Sequence, residues 1–298
     1  MSWLPVLLAG CVRAPPAPPP TPLSPCDALV AEIGPDALTT PSLRLTPRLP
    51  PTPDIPADQV ERVAYSEEAG ALLFMEERAS RKAREQLAPA LATDARLSLA
   101  WATDADASGV RVYFVGELGE GWGSLYQALY DPAEDRIVEV TPPPGERPDQ
   151  PTPLPPDVEA RYRALLTASL ADFELHPEGV VPVVLPLSTA RGESWMVYFL
   201  SSEAAEDTVQ VGGHVAVWVD AEGRQVLEVL EHSAGSDRRP WPTDAWLTLY
   251  HDLTPWPLET HVYTSLRTGL PLCVETTAGS WAVVGQEVRF LGSRAPVE

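Results

Sequence analysis

The chain contains no asparagine and a single lysine, Lys82, in 298 residues. Without asparagine there is no N-glycosylation sequon. The other basic residues are arginines, and Lys+Arg total 21 against 42 Asp+Glu, for a formal net charge of −21. That balance, with no basic stripe, excludes nucleic acid and anionic lipid headgroups as partners recognised by charge. The preference for arginine reads as the codon bias of a GC-rich genome, not as a phosphate-binding signal. Cysteine is scarce, with three residues, Cys11, Cys26 and Cys273. No CxxC or Cys/His zinc spacing occurs. None of the five histidines lies in HExxH, and no GxSxG elbow is present. Beyond the N-terminus no apolar run approaches the ~18 residues that a spanning helix needs. No metal and no cofactor is therefore expected.

What is abundant is proline, with 34 residues. Residues 12–58 and 142–156 are Pro-rich and divide the chain. The first follows a short apolar stretch, Trp3 to Ala9, that ends in Leu8-Ala9-Gly10-Cys11. This order of Leu, small residue, Gly and Cys resembles the lipobox of bacterial lipoproteins. The resemblance implies that residues 1–10 are a signal peptide and that Cys11 is lipidated. The mature protein would then be membrane-anchored through palmitate-type acylation, with its folded part in the periplasm or at the cell surface. The Ala14-to-Pro22 run after it would be an extended spacer, so 11–58 reads as lipidated cysteine plus tether. Two cysteines then remain for an oxidising compartment. Cys26 and Cys273 either pair or stay free, with Cys273 packed as a small apolar residue in Leu272-Cys273-Val274.

Residues 59–141 and 157–298 read as related units. Arg111-Val112-Tyr113-Phe114-Val115 precedes a strand, an acidic turn at Asp131–Asp135 and a return strand. Met196-Val197-Tyr198-Phe199-Leu200 precedes the same arrangement around Asp220-Ala221-Glu222-Gly223. A helical pattern comes before each. Ala79, Ala83 and Leu87 recur every four residues in the first. In the second, Asp157 is a plausible N-cap, and Val158, Tyr162, Leu165, Leu166, Leu170 and Phe173 form one face. Residues 62–76 fit either an acidic hairpin turn at Tyr65–Gly70 or a longer helix capped by Ser66. The C-terminal part reads as strands at 259–266, 270–276, 280–284 and 287–291, extending the sheet of the second unit. The class expected is α+β: two helix-plus-antiparallel-β units with a C-terminal β-meander. Val112, Phe114, Val197, Phe199, Val217 and Val226 are expected in or near the core. The layout resembles small helix-on-sheet modules of envelope proteins, PepSY-type or cystatin-like, and no site residue follows from that likeness.

Candidate chemistry is thin. Read as a strand, 259–265 puts Glu259, His261, Tyr263 and Ser265 on one face. A carboxylate, an imidazole and a hydroxyl together would make an acid/base site for an envelope hydrolase. The simpler reading is a polar rim with His261 bonded locally. His214, after Gly212-Gly213, would join His261 and Glu259 in a metal site if their strands were neighbours, although nothing local demands it. Gly119 to Gly123 reads as a hairpin loop exposing Trp122. Trp195, Trp218 and Trp281 are expected in the core, while Trp122, Trp241 and Trp256 are open between core and partner anchor. The function favoured is a lipid-anchored envelope protein that binds a protein or another envelope component and is not an enzyme.

Overall fold

The computed structural model describes residues 25, 26, 29 and 55–293, except 119–120, 144–145, 147, 149, 175–178, 190–191, 202–207, 234–235 and 243–245. The lipobox at Leu8–Cys11, most of the proposed tether, and His176 lie outside these residues. Among the described residues, three helices and fifteen strands make an α+β fold.

The organising element is α1, Val60–Leu91, a helix of 32 residues and therefore about 48 Å long. It settles the ambiguity at 62–76 in favour of helix. Ser66 lies buried inside it rather than capping it. Strands β1 (Leu97–Asp106), β2 (Gly109–Leu118), β3 (Gly121–Asp131) and β4 (Arg136–Thr141) follow as an antiparallel meander, with the short β5 (Thr152–Pro153) paired to β3. Helix α2 (Pro156–Ala168) leads to β6 (Val180–Thr189), β7 (Gly192–Ser201), β8 (Thr208–Gly212), β9 (Val215–Asp220) and β10 (Val226–Glu231). The second sheet runs β10-β9-β7-β6, while β8 pairs with β11 (Ser236–Pro240) as a separate two-stranded ribbon.

Period-two alternation explains how the two sheets share both helices. On β2, Val110, Val112 and Phe114 pack against Ala79, Ala83 and Leu87 of α1, while Tyr113 and Val115 pack against Val158 and Tyr162 of α2. On β7, Met196, Tyr198 and Leu200 meet Ala69, Leu73 and Phe74 of α1. Val197 and Phe199 face Ala164, Leu165 and Ala168 of α2. Both faces of each sheet are thus covered, which accounts for near-continuous apolar runs in β2 and β7. A buried polar knot ties the layers. Glu76 of α1 accepts from Thr103 Oγ1 of β1 at 2.6 Å and from Arg161 Nη1 of α2 at 3.3 Å, and Arg161 also donates to Thr103 O at 2.9 Å. Burial raises the Glu76 pKa, and the Arg161 charge opposes that shift.

The acidic turns match in construction. Asp131 Oδ1 accepts from the backbone of Ala133 and Glu134, and Asp220 Oδ1 from Arg224 and Gln225. The left-handed position is filled by Asp135 (φ 53°) in the first turn and by Gly223 (φ 69°) in the second. Gly223 is required there for a further reason: a Cβ would sit 2.8 Å from Ala160 O and Ala164 N of α2.

The C-terminal part departs from expectation in two ways. Strands β12 (Leu247–Tyr250), β13 (Leu272–Glu275), β14 (Ser280–Val284) and β15 (Glu287–Gly292) form their own sheet instead of extending the second, and β12 runs parallel to β13. That parallel pairing needs a crossover. The crossover contains α3, Glu259–Thr268, where alternation predicts a strand. Thr260, Val262 and Thr264 supply a β-like composition, but Glu259 in the first turn, Arg267 in the last and Gly269 at φ 69° mark the ends of a helix. Smaller corrections concern two loops. Helix α2 ends at Ala168, leaving Leu170 87 % exposed. Trp122 lies in β3 with its ring edge-on to Tyr162 at 5.3 Å, so it packs instead of standing out on a loop. Trp281 is buried, Trp195 and Trp218 are half-buried, and Trp246 is buried beside Cys26 and Cys273. Those two cysteines form a disulfide that fastens residue 26 to β13 across a separation of 247 residues.

All six expected strand positions are buried or half-buried, with Val226 the least covered. Phe199 stacks on Phe173 at 5.0 Å and closes the α2 face of β7. Phe199→Ala is expected to cost about 3–5 kcal/mol in chemical denaturation; a cost under ~1 kcal/mol, usual for exposed positions, would refute the packing described.

Candidate functional site

Four of the five histidines converge. His214, His232, His251 and His261 line one cavity of about 190 Å³, with Ser233, Asp237, Arg239, Tyr250, Asp252, Leu253, Thr260 and Thr264 around them. Each comes from the end of an element. His214 directly precedes β9 and His232 directly follows β10, and the ladder continues through them with His232 N–H donating to His214 O at 3.1 Å. Gly212 and Gly213, at φ 71° and 72°, turn the chain into β9 just before His214. His251 follows β12, its N–H held by Glu275 O at 2.8 Å. His261 is the third residue of α3.

The hydrogen bonds fix the tautomers. His261 Nδ1 accepts the N–H of Leu258 at 2.9 Å, the reach-back that Glu or Gln usually makes at this helix position. His214 Nδ1 accepts the N–H of Ser201 at 3.1 Å. A backbone amide only donates, so both neutral rings carry their proton on Nε2. His251 Nε2 lies 2.8 Å from Thr254 Oγ1, whose own proton goes to Trp256 O. His251 therefore donates from Nε2 as well. Its ring stands edge-on to that of His261, centroids 4.8 Å apart.

Behind the cavity is a buried acid. Glu259 Oε1 accepts from Tyr198 Oη at 2.8 Å and stands 3.8 Å from His232 Nδ1, and Tyr65 Oη meets Tyr198 Oη at 3.3 Å. Burial, reinforced by the Glu259 charge, raises the pKa of Tyr65 to about 12 and moves Tyr198 in the same direction. The histidines shift downward. Burial lowers His232 against the pull of Glu259. Burial brings His251 to about 4, Asp252 opposing. For His261 burial comes first, and the neighbouring histidines add to it. At neutral pH these three are uncharged.

The residues singled out from sequence are therefore distributed differently. Glu259 and Tyr263 lie one turn apart and face the second sheet, Tyr263 among the residues packed under Leu73 and Tyr198. His261 turns to the cavity. Ser265 is buried and committed: its hydroxyl donates to Leu270 O at 2.7 Å and accepts the N–H of Gly285 at 2.9 Å. The Glu259–His261–Ser265 combination is not assembled: the helix turns Glu259 and His261 to opposite sides, and the Ser265 hydroxyl, one turn on from His261, is taken by backbone partners. His214 and His261 do line one cavity, as the metal idea required. Among the described residues, however, no three His, Cys, Asp or Glu side chains are placed to hold a metal ion. The tautomers explain why: ligating histidines donate from one nitrogen and coordinate through the other, whereas here Nδ1 of both is occupied by an N–H donor. His232 and His251 carry no motif signal, although the β9–β10 hairpin register places residue 232 opposite residue 214.

Comparison with known proteins gives no match: no family model, no curated protein and no solved structure matches the chain.

Ser265 holds the turn between α3 and β13 together with the β14–β15 turn. Ser265→Ala is expected to lower stability by about 1–3 kcal/mol, the cost of leaving buried polar groups unpaired. Unfolding within ~0.5 kcal/mol of wild type would show that these hydrogen bonds do not matter.

Proposed function

We propose that this is a lipid-anchored protein of the bacterial envelope, held through Cys11, whose folded part binds an envelope component at the histidine-lined cavity. The observation that carries the reading is the cavity itself. Four imidazoles line its walls, and at its edge Tyr250 is 75 % exposed and Leu253 48 % exposed. The lining is mostly polar, and ionisable rings shifted by burial and gathered in one concavity are what mark a candidate site. Two further features support export. A disulfide between Cys26 and Cys273 suits an oxidising compartment. The Leu8–Cys11 lipobox and the Pro-rich spacer supply anchor and reach. Membrane attachment in this reading is by the acyl chain, since a chain of charge −21 has no affinity for anionic headgroups. The hydrolase alternative is disfavoured, because the Ser265 hydroxyl is committed to backbone partners.

Two measurements test it. Cys11→Ser is expected to move the protein from the membrane to the soluble fraction, and an unacylated wild-type N-terminus by intact mass would contradict the anchor. Wild type and Tyr250→Ala would each be incubated with solubilised envelope extract and examined by native mass spectrometry. A bound species on wild type that Tyr250→Ala loses supports the cavity as the binding site. Equal binding by both, or none, contradicts it.

A further inference from the structure

Two hydrogen bonds in the histidine cluster can exist only while the rings are neutral. Leu258 N–H points at His261 Nδ1, and Ser201 N–H points at His214 Nδ1. Protonating either Nδ1 would set two donors face to face. The first bond holds the N-terminus of α3. The second holds the end of β7 to the start of β9. One bond lies within the first turn of α3 and the other within the sheet that α3 packs on, so each side of the junction is ordered by a ring that must stay neutral. We propose that the four-histidine cavity is an acid-sensitive latch: neutral imidazoles order the first turn of α3 and the β7–β9 end of the second sheet that α3 packs against, and their protonation opens this junction.

The charged and titratable neighbours favour such a sequence. From α3, Glu259 lies 3.8 Å from His232 Nδ1, and after β12, Asp252 adjoins His251. These two histidines have carboxylates close by to receive a proton's charge. From β7 and α1, Tyr198 and Tyr65 remain neutral, their hydroxyls committed to the Glu259 chain. From β11, Arg239 is held by Asp237 at 3.1 Å and Thr248 O at 2.8 Å. Tyr250 is exposed at the cavity edge. From α3, Arg267 donates to Ser201 O at 3.1 Å, beside the His214–Ser201 bond, and with Glu77 of α1 acts on Tyr263. A first charge on His251 faces the His261 ring at a centroid distance of 4.8 Å with no carboxylate between them described. Relief requires the rings to separate.

The sign follows from burial. The folded junction prefers neutral histidines, so below the ordinary value of 6.5 the open form binds more protons than the closed one. The closed form loses stability as pH falls from 6.5 toward the lowered value of about 4 at His251. The carboxyls of Glu67, Glu76 and Glu77 behave oppositely, since burial raises them and they take up protons more readily when folded. Acid therefore stabilises the middle of α1 while it loosens the histidine junction, and the opening is local. Outside the cytoplasm, where the proposed function places the chain, the latch would meet the pH of the surroundings. The latch itself needs no ligand, so its failure and the failure of the binding reading are separate results.

Hydrogen exchange by mass spectrometry on the lipid-free protein tests it, at about pH 7 and about pH 4.5, corrected for the intrinsic rate. Segments 258–264 and 199–201 are expected to lose at least about tenfold protection in acid, while 110–116 of β2 keeps theirs. In His214→Gln/His261→Gln, the amide oxygens can accept the same N–H groups without titrating, and the loss is expected to fall below about twofold. Unchanged protection in wild type, equal loss throughout the core, or the same opening in the double variant would each overturn the latch. Should the double variant not fold, nitrogen NMR of the wild-type rings decides: His214 and His261 protonated on Nε2 support it, and protonation on Nδ1 overturns it.

Discussion

The close crossing of α1 over α3 at Gly70 is the contact on which the rest of the molecule depends. A Cβ at residue 70 would lie 2.5 Å from Val262 Cβ and 2.7 Å from Glu259 O. No side chain larger than hydrogen permits this approach. The crossing fixes where α3 begins, and therefore where Glu259 meets Tyr198 and where His261 enters the cavity. It also sets α1 along all three layers: Val63 joins the C-terminal sheet, Ala69 to Phe74 the second sheet, and Ala79 to Leu87 the first. A glycine inside a helix costs about 1 kcal/mol relative to alanine, which the packing across this contact offsets.

The chain is strongly acidic, yet the cavity is built from uncharged rings. Much of the negative charge is kept on turns and surfaces. The acids that do enter the interior are satisfied individually, Glu76 by Arg161 and Thr103, and Glu259 by Tyr198. The histidines follow the same economy. Each buried ring has a nitrogen committed to a neighbour or sits beside a carboxylate, and burial keeps the others from charging. This gives a cavity lined by uncharged rings on a protein whose formal charge is −21.

Much of the α+β layout was legible in the sequence. The two Val-Tyr-Phe strands, the acidic turns at Asp131 and Asp220, and the Ala79-Ala83-Leu87 repeat are local patterns, and local patterns survive folding. Strand phase was readable too, because β2 and β7 keep period two. What failed was 259–266. Thr260, Val262 and Thr264 satisfy strand propensity, but the crossover demanded by the parallel β12–β13 pair overrides it. The start of α1 was ambiguous because Gly70 lowers helix propensity for a reason lying almost two hundred residues away. The site was less legible than the fold. All four of its histidines stand at strand or helix ends fixed by tertiary pairing, so no spacing rule links 214, 232, 251 and 261. Only the β9–β10 hairpin register offered a clue, joining two of them.

The most direct test of this account is the stability of Gly70→Ala. On helix propensity alone the substitution should stabilise α1 by about 1 kcal/mol. The crossing predicts the opposite sign: a loss of about 1–3 kcal/mol from overpacking against Val262, with the melting temperature falling by several degrees. A melting temperature that rises would mean that α1 and α3 do not approach as described, and the placement of His261 and the cavity would fall with it.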